Sequence, residues 1–123
     1  MRFERLESIA ASVVKSTLAS LPPVIRDEAA DCTIEFAEMA VLLDIETDLD
    51  PDLLGLFEGN ARCDPLPSAP DEMPRIRLFL DNLWDDCGGN LKTFREEVRI
   101  TLLHELGHYL GLDEDQVAAL GLE

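Results

Sequence analysis

The sequence predicts a single α+β domain spanning residues 1–123, and three observations carry that expectation. Apolar residues near both ends recur at spacings of three and four, the period of helices with one buried stripe. Between them, CTIEFA (32–37) and RIRLFL (75–80) alternate apolar and polar residues, as strands with one buried face do. The chain has 123 residues, 46 % of them hydrophobic, which suits one compact domain and supplies enough apolar surface to close a core.

Each element follows from local chemistry. Phe3, Leu6, Ala10, Val13 and Thr17 predict a first helix that runs to about Ser20. LPPVIRDEAA predicts a short second helix, with Ser20 available as a cap and prolines tolerated in the first turn. In the strand over 32–37, Ile34 and Phe36 face one way and Thr33 and Glu35 the other. LLGLFEGN predicts a second extended segment, in which Leu54 and Leu56 alternate with Gly55 and Phe57 before a Gly59-Asn60 turn signal. Arg62 to Pro74, with Pro65, Pro67, Pro70 and Pro74, predicts an irregular surface loop.

RIRLFL is the clearest strand, with Ile76, Leu78 and Leu80 on one face and Arg75, Arg77 and Phe79 on the other. Asp85 to Asn90 predicts a loop. Thr93 and Glu96 then form a capping box, so a helix is expected from Phe94. Its stripe of Phe94, Val98, Leu102, Leu106 and Leu110, with Leu103 alongside, runs to Gly111, which permits the left-handed turn that ends helices. Asp113 can cap a final short helix toward Leu120, which places Glu114 in its first turn.

Charge narrows the partners. With 26 acidic against 10 basic side chains, the net charge of -16 repels phosphate backbones and anionic membranes. Neither nucleic acid nor membrane is therefore an expected partner. A basic peptide or protein is attracted at long range, although the same acidity also keeps a protein soluble. Cys32, Cys63 and Cys87 are widely spaced, form no CxxC pair and are expected to be free thiols. The opening MRFERLESIAASVVKS lacks the uninterrupted apolar stretch of a signal peptide or membrane span, so a cytoplasmic location is the expectation. The sequence leaves the oligomeric state open.

The chemistry concentrates in LHELGHYLGLDED (103–115). Its two histidines, His104 and His108, are the only two in the chain. Four apart on a helix, they share a face and can point one nitrogen each at a common ion. Glu105, rotated by about 100° from His104, is badly placed to ligate the same ion. It can reach a water at the ion, as in the H-E-x-x-H arrangement, where a carboxylate takes a proton from that water and delivers it to a leaving amine. The bland alternative is a helix surface with two idle histidines. Against it stand the use of both histidines in the motif, its position in an independently predicted helix, and the helix-ending glycine that follows. Gly107, which costs about 1 kcal/mol against Ala in a helix interior, is expected to permit close packing by a neighbouring strand.

HELGHYLGLDE matches the extended zincin pattern HExxHxxGxx(H/D/E), where a glycine turn brings back a third ligand. The chain also resembles a group of very small bacterial zincin-like proteins, the minimal zincins. The resemblance rests on an amino-terminal helix, LLGLFEG, PRIRLFL and EEVRITLLHELGHYLGLDE. It implies a minimal zincin-like fold, a short mixed sheet packed against the N-terminal helix and the motif helix, and a zinc-dependent metallopeptidase-like activity. In that register one zinc ion is held by His104, His108 and Glu114, and Glu105 is the general base. Asp113 and Asp115 remain alternative third ligands, and Asp113 is the favoured helix cap. Glu114 is also an acidic residue of the kind that helix dipoles favour in a first turn. The nine residues after Glu114 contain no methionine, which departs from the methionine turn of metzincins.

The expected function is hydrolysis of a peptide or related amide bond in a peptide or protein substrate. A non-catalytic metal-binding interaction module is the alternative, and an acidic partner protein without metal is the third reading. Other residues carry weaker signals. Tyr109 can serve as an oxyanion donor or as a buried structural tyrosine. RIRLFL can form the sheet edge along which an extended peptide is laid. Gly55 and Gly59 can admit a substrate or mark a bulge or turn. Cys87 before Gly88-Gly89 offers a thiolate of the kind peptide deformylase uses, without that family's neighbouring motifs.

Overall fold

The structure is a computed structural model, and it describes residues 1–59 and 73–119, apart from the side chains of Glu114 and Ala119. The elements run α1 (Phe3–Ala19), α2 (Pro23–Ala29), β1 (Thr33–Ala37), α3 (Met39–Leu42), β2 (Gly55–Glu58), β3 (Arg75–Phe79), α4 (Leu80–Asp86), α5 (Leu91–Leu110) and α6 (Glu114–Ala119). The fold is α+β, with helices around a mixed sheet in the order β1-β3-β2. β1 runs parallel to β3 and β2 antiparallel to it. Most of the proline-rich loop expected from Arg62 lies at 62–72, outside the described residues.

The register decides which side chains share a face. Ile34, Ile76 and Phe57 align across the sheet, as do Phe36, Leu78 and Gly55. This face lies under α5, and Ile76 and Leu78 on it are fully buried. They belong to one core with Leu6, Ile9 and Ala10 of α1 and Val98, Leu102 and Leu106 of α5. At roughly 25 cal/mol per Å² of apolar surface removed from water, this α1, sheet and α5 packing is the main force that fixes the motif helix over the sheet.

RIRLFL is neither an edge strand nor a strand with one polar face. β3 is the central strand, flanked on both sides, and Arg77 and Phe79 are buried along with Ile76 and Leu78. Leu80 leaves the strand to begin α4, so the alternation ends one residue early. Arg77 is held by Glu46, with Nη1 to Oε2 at 2.8 Å and Nη2 to Oε1 at 3.2 Å. Its Nε also lies 2.6 Å from Glu58 Oε1, an ion pair outside hydrogen-bond geometry. The hydrogen bonds from Arg77 hold the Glu46 carboxyl below the ordinary glutamate range.

Helix ends differ from local expectation in two places. Ser20 caps nothing ahead of it, because its Oγ donates back to Thr17 O at 2.7 Å, and Pro22 precedes α2. α5 begins at Leu91, earlier than the Thr93/Glu96 box indicates, because Asn90 Oδ1 accepts from Thr93 N at 2.9 Å. The helices α3 and α4 were not expected. They are tied together by Asp81, whose carboxylate accepts from Met39 N and Ala40 N at 2.9 and 3.0 Å. Among the described residues no helix is long and apolar enough to cross a membrane.

Candidate metal centre

From Thr101 to Tyr109, every residue of α5 is buried except His104 and His108. Helical spacing sorts these residues into adjacent stripes. Val98, Leu102 and Leu106, four apart, enter the core. Thr101, Glu105 and Tyr109, also four apart, face β2. There a Cβ on Gly55 would meet Thr101 and Glu105, Phe57 N donates to Glu105 Oε1 at 3.0 Å, and the Phe57 and Tyr109 rings lie 5.8 Å apart. The third stripe is His104 and His108, which stands open to solvent.

The two histidines converge. Their Nε2 atoms are 3.2 Å apart and their rings cross at 87°. Two nitrogens bonded to one tetrahedral zinc at about 2.0–2.1 Å stand roughly 3.3 Å apart, so this spacing fits a shared ion. The same distance also admits a hydrogen bond between neutral rings of matched tautomer. Ligand atoms of His104, Glu105 and His108 all lie within 4.8 Å of one another, a donor set of two imidazoles beside a carboxylate. Such a set suits zinc and other first-row divalent ions.

Glu105 is 9 % exposed, far less than the histidines on either side of it. Its Oε1 accepts from the Phe57 amide, so one oxygen of the carboxylate is tied to the backbone of β2. Sequence reasoning missed Phe57, because a backbone donor leaves no trace in residue identity. Gly55 did carry a signal, as glycine inside an alternating run. What approaches it is the motif helix.

The turn after α5 is built as the glycines indicate. Gly111 is left-handed with φ 73°, and Leu112 N donates back to Gly107 O at 2.8 Å. Gly107 makes room for a helix where a strand was expected: a Cβ there would sit 3.0 Å from Val117 Cγ2 of α6. Asp113 is the cap of α6, since its Oδ1 accepts from Gln116 N at 2.8 Å while Gln116 Oε1 accepts from Asp113 N at 2.9 Å. Glu114 is the first residue of α6, and its side chain is outside the described part. Asp115 is exposed and is not among the clustered ligand atoms.

The remaining candidates sit elsewhere or do other work. Tyr109 is 3 % exposed and its ring packs on Phe57, the contact expected of a buried structural tyrosine. Cys87 donates to Trp84 O at 3.1 Å, before the start of α5, and is not part of the His104, Glu105 and His108 cluster. Cys32 is buried, and burial pushes its thiol up to about 11. Cys63 lies outside the described residues. Gly59, with φ 94°, marks a turn. A groove of about 320 Å³ includes His104 in its wall, with Leu54, Ile100, Thr101 and Val117, and among the described residues Glu97 and Glu105 are its acidic groups.

A family model described as zincin-like metallopeptidase matches residues 29–122, from the end of α2 through the motif helix and α6. No curated protein matches the chain.

Proposed function

We propose, since this chain belongs to the zincin-like metallopeptidase family, that it hydrolyses a peptide or related amide bond by means of a zinc-activated water. The family makes the protein metal-dependent and peptidase-like. The observation that carries the finer reading is the open pair of imidazoles, 3.2 Å apart at Nε2, with the buried Glu105 beside them at a groove.

His104 and His108 would hold the ion, and Glu114 is the third ligand in the register of the extended motif. When bound, zinc supplies a water of lowered pKa and a Lewis acid for the scissile carbonyl. Glu105 takes the proton of the attacking water as the new C–O bond forms, and returns it to the amine as the C–N bond breaks. Fixing Oε1 on Phe57 N orients the carboxylate for this transfer. The outer edge of β2 offers backbone groups of Gly55 and the Phe57 carbonyl to an extended peptide, the role first expected of RIRLFL. Among the described residues the groove lining contains acidic groups and no Lys or Arg, which together with the net charge of -16 favours basic substrates.

The test is metal analysis and peptide hydrolysis on the parent, His108→Ala, Glu114→Ala and Glu105→Gln. The expected result is near-stoichiometric zinc in the parent, lost in His108→Ala and Glu114→Ala. Glu105→Gln should keep the metal and lose about 10²- to 10⁴-fold in kcat. Full activity in Glu105→Gln rejects this mechanism. Zinc retained in Glu114→Ala moves the third ligand to Asp113 or Asp115. Zinc without hydrolysis of any peptide in a broad library leaves the interaction-module reading, and a parent that takes up no metal ends both.

A further inference from the structure

Gly55 has a puzzling identity. Among the described residues the glycines of positive φ are Gly59, Gly88, Gly89 and Gly111, so the Gly55 backbone lies where any residue can go. Glycine in a strand, here the first residue of β2, weakens it through lost packing and added chain entropy. What excludes a side chain is space: a Cβ at Gly55 would stand 2.6 Å from Thr101 Cγ2 and 3.3 Å from Glu105 Cγ. Thr101 is itself buried, and its branched methyl sits directly on Cβ, so it cannot swing clear as a long side chain does.

The same approach fixes the carboxylate. Phe79 N donates to Leu54 O at 2.9 Å, so Leu54, Leu56 and Glu58 turn their backbone groups toward β3. Gly55 and Phe57 therefore turn theirs outward, and the Phe57 amide is met by Glu105 Oε1. That bond requires β2 and α5 to stay at glycine-to-threonine contact distance. Two residues along β2 and four along α5 separate the contact from the bond, so the two read the same spacing.

We propose that Gly55 and Thr101 are positioning residues, a steric stop that sets the distance between β2 and α5 and so aims the Glu105 carboxylate through the Phe57 amide. This rests on the reading of Glu105 as general base for its catalytic consequence, while the geometric claim stands without it. A Cβ at position 55 pushes β2 outward, breaks the Phe57 to Glu105 bond and leaves the carboxylate free to rotate. Removing only the Thr101 methyl takes away the 2.6 Å contact and leaves the 3.3 Å approach to Glu105 Cγ, which a shift of a few tenths of an ångström absorbs, so the bond is restored.

The experiment compares the zinc-loaded parent, Gly55→Ala and the double variant Gly55→Ala/Thr101→Ser, by amide hydrogen exchange at Phe57 and by steady-state peptide hydrolysis. In Gly55→Ala, Phe57 exchange rises about tenfold, the loss of one hydrogen bond, while amides of β3 stay protected and zinc content is unchanged. Its kcat falls by about 10²-fold with little change in KM. The double variant regains protection and most of kcat. Unchanged Phe57 exchange in Gly55→Ala, or a double variant no better than the single, overturns the proposal. Exchange that follows the expected order in a protein without peptide hydrolysis upholds the stop and overturns only its catalytic meaning. Should Gly55→Ala fail to fold, a folded double variant with a protected Phe57 amide supports the stop, and an unfolded one overturns it.

Discussion

The sheet's two faces hold carboxylates in different ways. Under α5, Glu105 is 9 % exposed, accepts one backbone amide, and among the described residues has no ion pair with Lys or Arg. On the opposite face, Glu46 and Glu58 close on Arg77, whose side chain is 4 % exposed and stacks over Phe79 at 5.7 Å. Both arrangements anchor an acid against a strand. Glu46 is committed through both oxygens to a guanidinium, whereas Glu105 keeps an oxygen that can carry a proton. The aliphatic side chains beneath Glu105 supply stability that its own contacts do not.

The largest effect expected from breaking this comparison is therefore on the aliphatic face. Leu78 is fully buried and touches the Gly55 position, so Leu78→Ala should destabilise by about 3 kcal/mol, the transfer and cavity penalty for a buried leucine. Arg77→Met keeps the stem over Phe79 and removes the ion pairs. Glu46 and Glu58 are 38 % and 32 % exposed at the side chain and can rehydrate, so the penalty should be nearer about 1 kcal/mol. Urea denaturation of both variants checks the order. An Arg77→Met penalty above that of Leu78→Ala would make the ionic face the main support of the sheet.

The contrast also explains what was legible in advance. α1, α2, the three strands, the motif helix and α6 are written in period and punctuation, which are local. So is the histidine pair, because spacing of four on a helix fixes its geometry. The α3 and α4 helices were not legible, since Asp81 caps α3 from a position 42 residues along the chain from Met39. The central place of RIRLFL was missed for a similar reason: Arg77 reads as solvent-facing until Glu46 and Glu58 arrive from other segments to pair with it. Phe79 on the supposedly polar face was the available clue. The partner of Glu105 was illegible because it is a main-chain amide.

The smallest and most selective effect is acid sensitivity. The Arg77 hydrogen bonds lower the folded-state pKa of Glu46 below its unfolded value. The stabilisation is therefore present above the ordinary glutamate range and is lost as pH falls through the lowered folded value. Acid also relieves self-repulsion in a chain of net charge -16, which works in the opposite direction. The informative quantity is the stability difference between the parent and Arg77→Met. It should be constant from about pH 7 to 6 and shrink toward about pH 3, measured as Tm at each pH. A difference that stays constant into acid would mean that what methionine fails to replace is the guanidinium over the Phe79 ring, 5.7 Å from its centroid, and not the pairing with Glu46.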